Sequence, residues 1–254
     1  MPHPWLVPLA TTASGDPLAP PLALLGELGA FSLAVGFSPV HLALLFLLLL
    51  GPNPLRRGGW FVGAWLATSI LTVTLLVTLG HGLLLGMEKG SVHRTGLDLL
   101  GAGALLALGL RELLGRSAAG DQPPSWTARL DRFCAMPLPL LLALSSGLQV
   151  VSPEDLFLYA RTAGSVLAAD LDHSQEILAT LLFSLASTVL LALPFTAVIV
   201  LGSERVLPLL QRAKAWLFER GELIVGGVSL LLAGYLGWQG VEGLSLPLSA
   251  GPLA

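Results

Sequence analysis

Charge is what this chain has least of. Only 11% of its 254 residues are Asp, Glu, Lys or Arg, against about 25% in an ordinary soluble domain. So few charges cannot cover a water-facing surface, which excludes a soluble globular protein. No basic patch with interleaved aromatics occurs, which excludes a nucleic-acid partner. There is one cysteine, Cys134, so an intramolecular disulfide, a cysteine-pair redox relay and a cysteine-rich metal cluster are all excluded. No Ser/His/Asp set, phosphate loop or ligand cluster stands out, and His81, His93 and His173 are scattered. The chain therefore reads as a non-enzyme with no cofactor and no metal site. Residues 1–20 carry five prolines and no Lys or Arg; without a basic n-region they read as a mobile tail rather than a secretory signal.

What is present is apolar length. Hydrophobic residues make up 54% of the sequence, and several uncharged runs reach about 20 residues, enough to cross the hydrocarbon core. The expectation is an all-α, polytopic membrane protein with six transmembrane helices, at residues 21–50, 59–80, 96–114, 136–167, 177–202 and 222–241. Pro194 should kink the fifth helix. The basic stretch 204–220 before the sixth reads as an amphipathic connection with Trp216 and Phe218 as interfacial anchors.

Basic residues are placed unevenly. Arg56, Arg57, Arg116, Arg129, Arg132, Arg205, Arg212, Lys214 and Arg220 share one side of a six-helix arrangement, opposite Lys89 and Arg94. The positive-inside rule then puts both termini outside the cytoplasm, in a membrane that reads as the bacterial inner membrane.

Two interruptions fall inside apolar runs, at Ser38-Pro39 and at Ser152-Pro153. Proline has no N–H to continue a helix but suits its first turn, and serine can cap that turn. Helices 1 and 4 should therefore stop and restart within the bilayer. A shift of 114 residues superposes one break on the other, and a shift of 125 superposes Gly96, Gly101 and Gly109 on Gly221, Gly226 and Gly234. The expected organisation is a tail at 1–20, a three-helix repeat at 21–114, a cytoplasmic linker at 115–135, a second repeat at 136–242 and a tail at 243–254. Three helices per repeat is an odd number, so the second repeat enters the membrane inverted, as in many secondary transporters.

A restarted helix exposes N–H groups that favour an anion. Ser38, Pro39, Ser152 and Pro153 are the expected substrate-binding positions. His41, Glu154, Asp155 and Arg161 are the expected coupling or proton-carrying groups, because ionisable residues are costly within a membrane. Arg161 lies one to two turns beyond Glu154 and Asp155 and is a candidate partner for them. Two placements remain open for Glu154 and Asp155: within the membrane, or at its outer interface if helix 4 ends near Val151. Glu27 reads as interfacial.

The run Gly51-Pro52-Asn53-Pro54-Leu55-Arg56-Arg57-Gly58-Gly59-Trp60-Phe61-Val62-Gly63, together with the three-plus-three arrangement, resembles the GAP family of sulfolipid- and glycopeptidolipid-addressing proteins within the lysine-exporter superfamily. The resemblance implies a six-helix exporter-like protein, with some members linked to moving amphiphilic lipids to the cell surface. The His- and Asp-rich helix of that superfamily's nickel/cobalt exporters and the paired cysteines of its electron-carrying members are absent here. The leading expectation is a proton-coupled exporter of a small anionic or amphiphilic solute, lipids and lipid precursors included, with membrane lipids, a homo-oligomer or a larger membrane complex as partners. The alternative is a non-transporting membrane scaffold or assembly subunit.

Overall fold

The structure is a computed structural model and describes residues 20–83, 87, 90–119 and 136–245, except for the side chains of residues 115–119, Pro153 and Glu222. The expected tail ahead of residue 20, most of the expected linker, and Cys134 lie outside the described residues. Eight helices and no strand occur among those described: α1 Leu22–Gly36, α2 Pro39–Leu50, α3 Pro54–Gly82, α4 Val92–Ala119, α5 Leu138–Val151, α6 Pro153–Ala168, α7 His173–Leu201 and α8 Ser203–Ser245.

Both breaks fall where proline dictates. The N–H of Phe37 closes α1 on the Leu33 carbonyl, and the N–H of Leu42 opens α2 on the Ser38 carbonyl. Between them the chain turns by 57°. At the second break the N–H of Ser152 ends α5 on Leu148, and that of Leu156 opens α6 on the Ser152 carbonyl. Neither serine caps its helix through the side chain, which corrects the expectation drawn from the Ser-Pro step.

Boundaries elsewhere moved outward. α4 begins at Val92 and runs to Ala119, and α7 begins at His173. The α7 start is set by a capping box in which Asp172 accepts the N–H of Gln175 and the Gln175 side chain returns to the Asp172 N–H. The largest correction concerns residues 203–245, which form one continuous helix of 43 residues, about 65 Å at 1.5 Å per residue. The change from a basic to an apolar stretch near Gly221 alters what the helix faces and leaves its backbone unbroken.

Three helices are long and apolar enough to cross a membrane: α3, α7 and the Leu223–Ser245 part of α8; the bent α1–α2 pair makes a fourth if counted as one span. Charge keeps α4 out of that set, since it carries Arg94, Asp98, Arg111 and Glu112; α5 and α6, of 14 and 16 residues, are each too short, and α6 also carries Glu154, Asp155 and Arg161. Leu71, Leu75, Leu185, Leu193, Leu231 and Trp238 point outward and exposed, a surface that suits lipid rather than water.

The most extensive pairing is α4 on α8. It is permitted by missing side chains: a Cβ on Gly109 would lie 3.0 Å from the Gly226 carbonyl oxygen, and one on Gly226 would lie 3.3 Å from that of Gly109. Backbones approach closely through such small residues. α1 and α3 pack on α7, α6 packs on α3 and α1, and α2 packs on α8. Phe31, Val35, Leu45, Phe61, Tyr159 and Phe183 fill the centre.

Candidate functional site

The two breaks, remote in sequence, meet in space. Ser38 and Pro39 from the first, and Glu154 and Asp155 from the second, line one small cavity of about 40 Å³, with Phe37, Leu158, Ser229 and Leu232 also in its wall. Asp155 is 3% exposed, which leaves the interfacial placement without support for that carboxyl. No hydrogen bond or ion pair to it is found among the described residues. A cavity this size has room for about one water molecule, so here it cannot seat a substrate head group. Ser152 does not line it.

His41 sits behind the break, 1% exposed. Its Nδ1 accepts from Ser38 Oγ at 2.8 Å while Nε2–H points to the Ser145 carbonyl at 3.3 Å, a pairing that places the proton of a neutral ring on Nε2. The Trp65 ring stands edge-on at 4.5 Å. Next to it Gln149 Nε2 donates to Ser69 Oγ and to the Tyr159 hydroxyl, leaving Gln149 Oε1 without a protein partner. Two separate polar groups thus lie within the bundle: Ser38, His41 and the Ser145 carbonyl between α2 and α5, and Ser69, Gln149 and Tyr159 across α3, α5 and α6.

Arg161 does not reach Glu154 or Asp155. Six residues along a helix turn Asp155 about 240° away, and seven put Glu154 on the same face but about 10 Å off. Its guanidinium instead lies in a buried charged cluster near the other end of α6. Nε pairs with Asp98 Oδ1 at 2.7 Å and Nη2 with Glu27 Oε1 at 2.9 Å. Nη2 also donates to Gln239 Oε1 at 2.6 Å, and Nη1 donates to Ser165 Oγ at 3.1 Å. The Phe31 ring lies 5.8 Å from the guanidinium carbon. Arg94 completes the group at 3.8 Å from Glu27. Arg161 and Asp98 are 1% and 2% exposed; two cations and two carboxylates balance here, as burial requires.

This cluster forms the floor of an outer cavity of about 690 Å³ between α1, α4 and α8. Glu27, Arg94, Tyr235, Gln239 and Glu242 supply its polar lining, and Phe31, Leu231, Leu232 and Trp238 its apolar lining. Leu232 lines both this cavity and the one at the breaks. The two therefore lie end to end along the seam of α1 and α8.

Comparison with known proteins decides the family. The family model described as Sap, sulfolipid-1-addressing protein matches residues 28–242. The chain belongs to this family. No curated protein and no solved structure matches it. The resemblance drawn from the Gly51–Gly63 run is borne out, and a membrane protein of a lipid-handling family fits the apolar helices. The match spans both breaks, Asp98, Arg161 and Gln239, and Glu27 lies one residue ahead of it.

Sequence reasoning missed Glu27, Asp98, Arg94, Tyr235 and Gln239 as one group. The available signal was cost: Glu27, Asp98 and Arg161 each sit inside an apolar run, and intramembrane charges find one another.

Proposed function

We propose that this sulfolipid-addressing family member is a secondary transporter that exports an amphiphilic solute with an anionic head, a lipid or lipid precursor, by alternating access coupled to protons. The observation that carries this reading is the pair of cavities set end to end along the α1–α8 seam. The outer one is large and amphipathic, suited to a head group with part of its chain. The inner one is small and closed, and ends on the carboxylates of the second break. In this reading the cavity at the breaks is the closed part of the path. Glu154 and Asp155 carry protons there, Ser38 and His41 shape it, and the head group binds in the outer cavity.

The six-span, inverted-repeat organisation is part of the proposal. Antiparallel α4 and α8, joined glycine to glycine, are what an inverted pair of third helices would give. The packing of α2 on α8 and of α6 on α4 is the matching reciprocal pair. α4, α5 and α6 complete the six spans within the bundle, where paired charges are tolerated. Basic residues then place both termini outside the cytoplasm, so the outer cavity opens away from it.

The test is reconstitution into liposomes loaded with a pH-sensitive dye, with a labelled sulfate-headed lipid in one leaflet. Transfer between leaflets accompanied by proton movement, and loss of both in Asp155→Asn, is the expected result. Undiminished transfer in that variant would remove the coupling role; absence of transfer by folded protein would remove the transporter reading and leave the scaffold alternative.

A further inference from the structure

The two arginines beneath Glu27 are held very differently. Every hydrogen bond or ion pair of Arg161 is 3.1 Å or shorter. Among the described residues, the Arg94 side chain makes longer contacts: 3.4 Å to the Met87 carbonyl, 3.3 Å to Gln239 Oε1 and 3.8 Å to Glu27 Oε1. Arg94 and Glu27 both line the outer cavity, whereas Arg161 and Asp98 lie behind it. Among this cluster, then, one carboxylate faces the cavity and holds two guanidinium groups, and one of those groups is loosely satisfied.

We propose that the Glu27 carboxylate is an internal stand-in at an anion-binding site, and that the sulfate, phosphate or carboxylate group of a ligand displaces it from Arg94 and Arg161. Displacement leaves Arg161 paired with Asp98 at 2.7 Å, and the freed Glu27 carboxylate turns into the outer cavity that it already lines. It converts the long Arg94 contacts into short charge-assisted bonds, which are the stronger kind. The charged and titratable groups facing Glu27 are Arg94 and Asp98 from α4, Arg161 from α6, and Tyr235 and Glu242 from α8. Glu242, on the cavity wall, repels an anion and leaves the arginine side as its seat.

Displacement also acts on α1. Glu27 makes the ion pairs of α1 with α4 and α6, beside the buried Leu24, Leu28 and Phe31. At its other end Gly36 packs so closely on α7 that a Cβ there would overlap the Ser187 carbonyl oxygen, and the bend follows at once. α1 is therefore anchored beside its bend and latched near its free end. A ligand that takes the place of Glu27 releases the wall between the two cavities. The site deepens the transport reading and rests on it for the amphiphilic character of the ligand.

The experiment uses the full chain in nanodiscs of uncharged lipid, with Cys134→Ala and Ser229→Cys to report access to the inner cavity. The probes are decyl sulfate and inorganic sulfate, and folding is checked by melting. In the parent, decyl sulfate should bind saturably and speed thiol labelling at position 229. Glu27→Gln should label fast without ligand and bind decyl sulfate about tenfold more tightly, the worth of one competing charge-assisted bond. Arg94→Gln should bind about tenfold more weakly and stay closed, with Arg94→Lys recovering part of the affinity. Binding of inorganic sulfate alone with the same responses would assign the site to a free anion; binding of decyl sulfate only would assign it to a head group. A folded Glu27→Gln protein with unchanged labelling and unchanged affinity would overturn the proposal. Ligand-dependent opening without lipid transfer in liposomes would instead leave the site standing and remove the transporter reading.

Discussion

Arg161 and Asp155 lie on the same helix, six residues apart and almost equally buried, yet they are built on opposite rules. Arg161 is surrounded by partners from α1, α4, α6 and α8. Asp155 faces a closed cavity with no partner among the described residues. A buried charge that is fully paired holds helices together, and its loss is felt in folding. A buried carboxyl left unpaired contributes nothing to folding that a neutral amide would not, and its presence calls for a use. Stability and chemistry thus separate along one helix.

The largest expected effect breaks the first half of that comparison. Arg161→Gln leaves Asp98 and Glu27 without their shared cation, and should cost about 3–5 kcal/mol, the usual penalty for breaking a buried ion pair. A large drop in melting temperature, or failure to accumulate as folded protein, is the check. Gly36→Leu comes next: the side chain would collide with the α7 backbone at Ser187, and overpacking of this kind costs about 1–3 kcal/mol. Thermal unfolding in detergent reads both.

Asp155→Asn sharpens the other half. It should leave the melting temperature unchanged or raise it, while abolishing proton movement in liposomes. A fall in stability as large as that of Arg161→Gln would erase the distinction between the two residues. Ser38→Ala removes the hydrogen bond that orients His41, worth about 1 kcal/mol, and should lower stability only by that amount.

The smallest effect lies outside the membrane. Ser174 Oγ donates to Asp172 at 2.6 Å and the Gln175 N–H donates to it at 3.0 Å, and these bonds hold the Asp172 carboxyl below its usual range. Its contribution to the first turn of α7 is therefore complete above the ordinary aspartate value of about 3.9. It is lost as the pH falls through the lowered value of the folded protein. Hydrogen exchange at the α7 N-terminus should show that loss, and Asp172→Asn should flatten it.

The breaks were legible in sequence because a Ser-Pro step suits a helix start; proline alone does not decide it, since Pro194 and Pro208 lie inside α7 and α8. The meeting of the breaks at one cavity is what the repeat read from the sequence led one to expect. The charged cluster was not legible, because Glu27, Asp98, Arg161 and Gln239 come from four separate helices and only tertiary packing brings them together. Local spacing pointed Arg161 toward the acids on its own helix, when helical geometry turns one away and leaves the other two turns off. The continuity of α8 escaped for a related reason. A change of composition near Gly221 resembles a boundary, but nothing there removes a backbone hydrogen bond.

The breaks are the binding centre expected from sequence; in the proposed transport reading they become the inner end of a path whose open part is the outer cavity. Leu232, shared by both cavities, is where that account is most exposed. Beyond it, Val228 lines the inner cavity alone: transfer of a labelled sulfate-headed lipid across liposomes should stop in folded Val228→Trp, while decyl sulfate binding at the outer cavity stays close to that of the parent. Undiminished transfer by that variant would contradict a route along the α1–α8 seam.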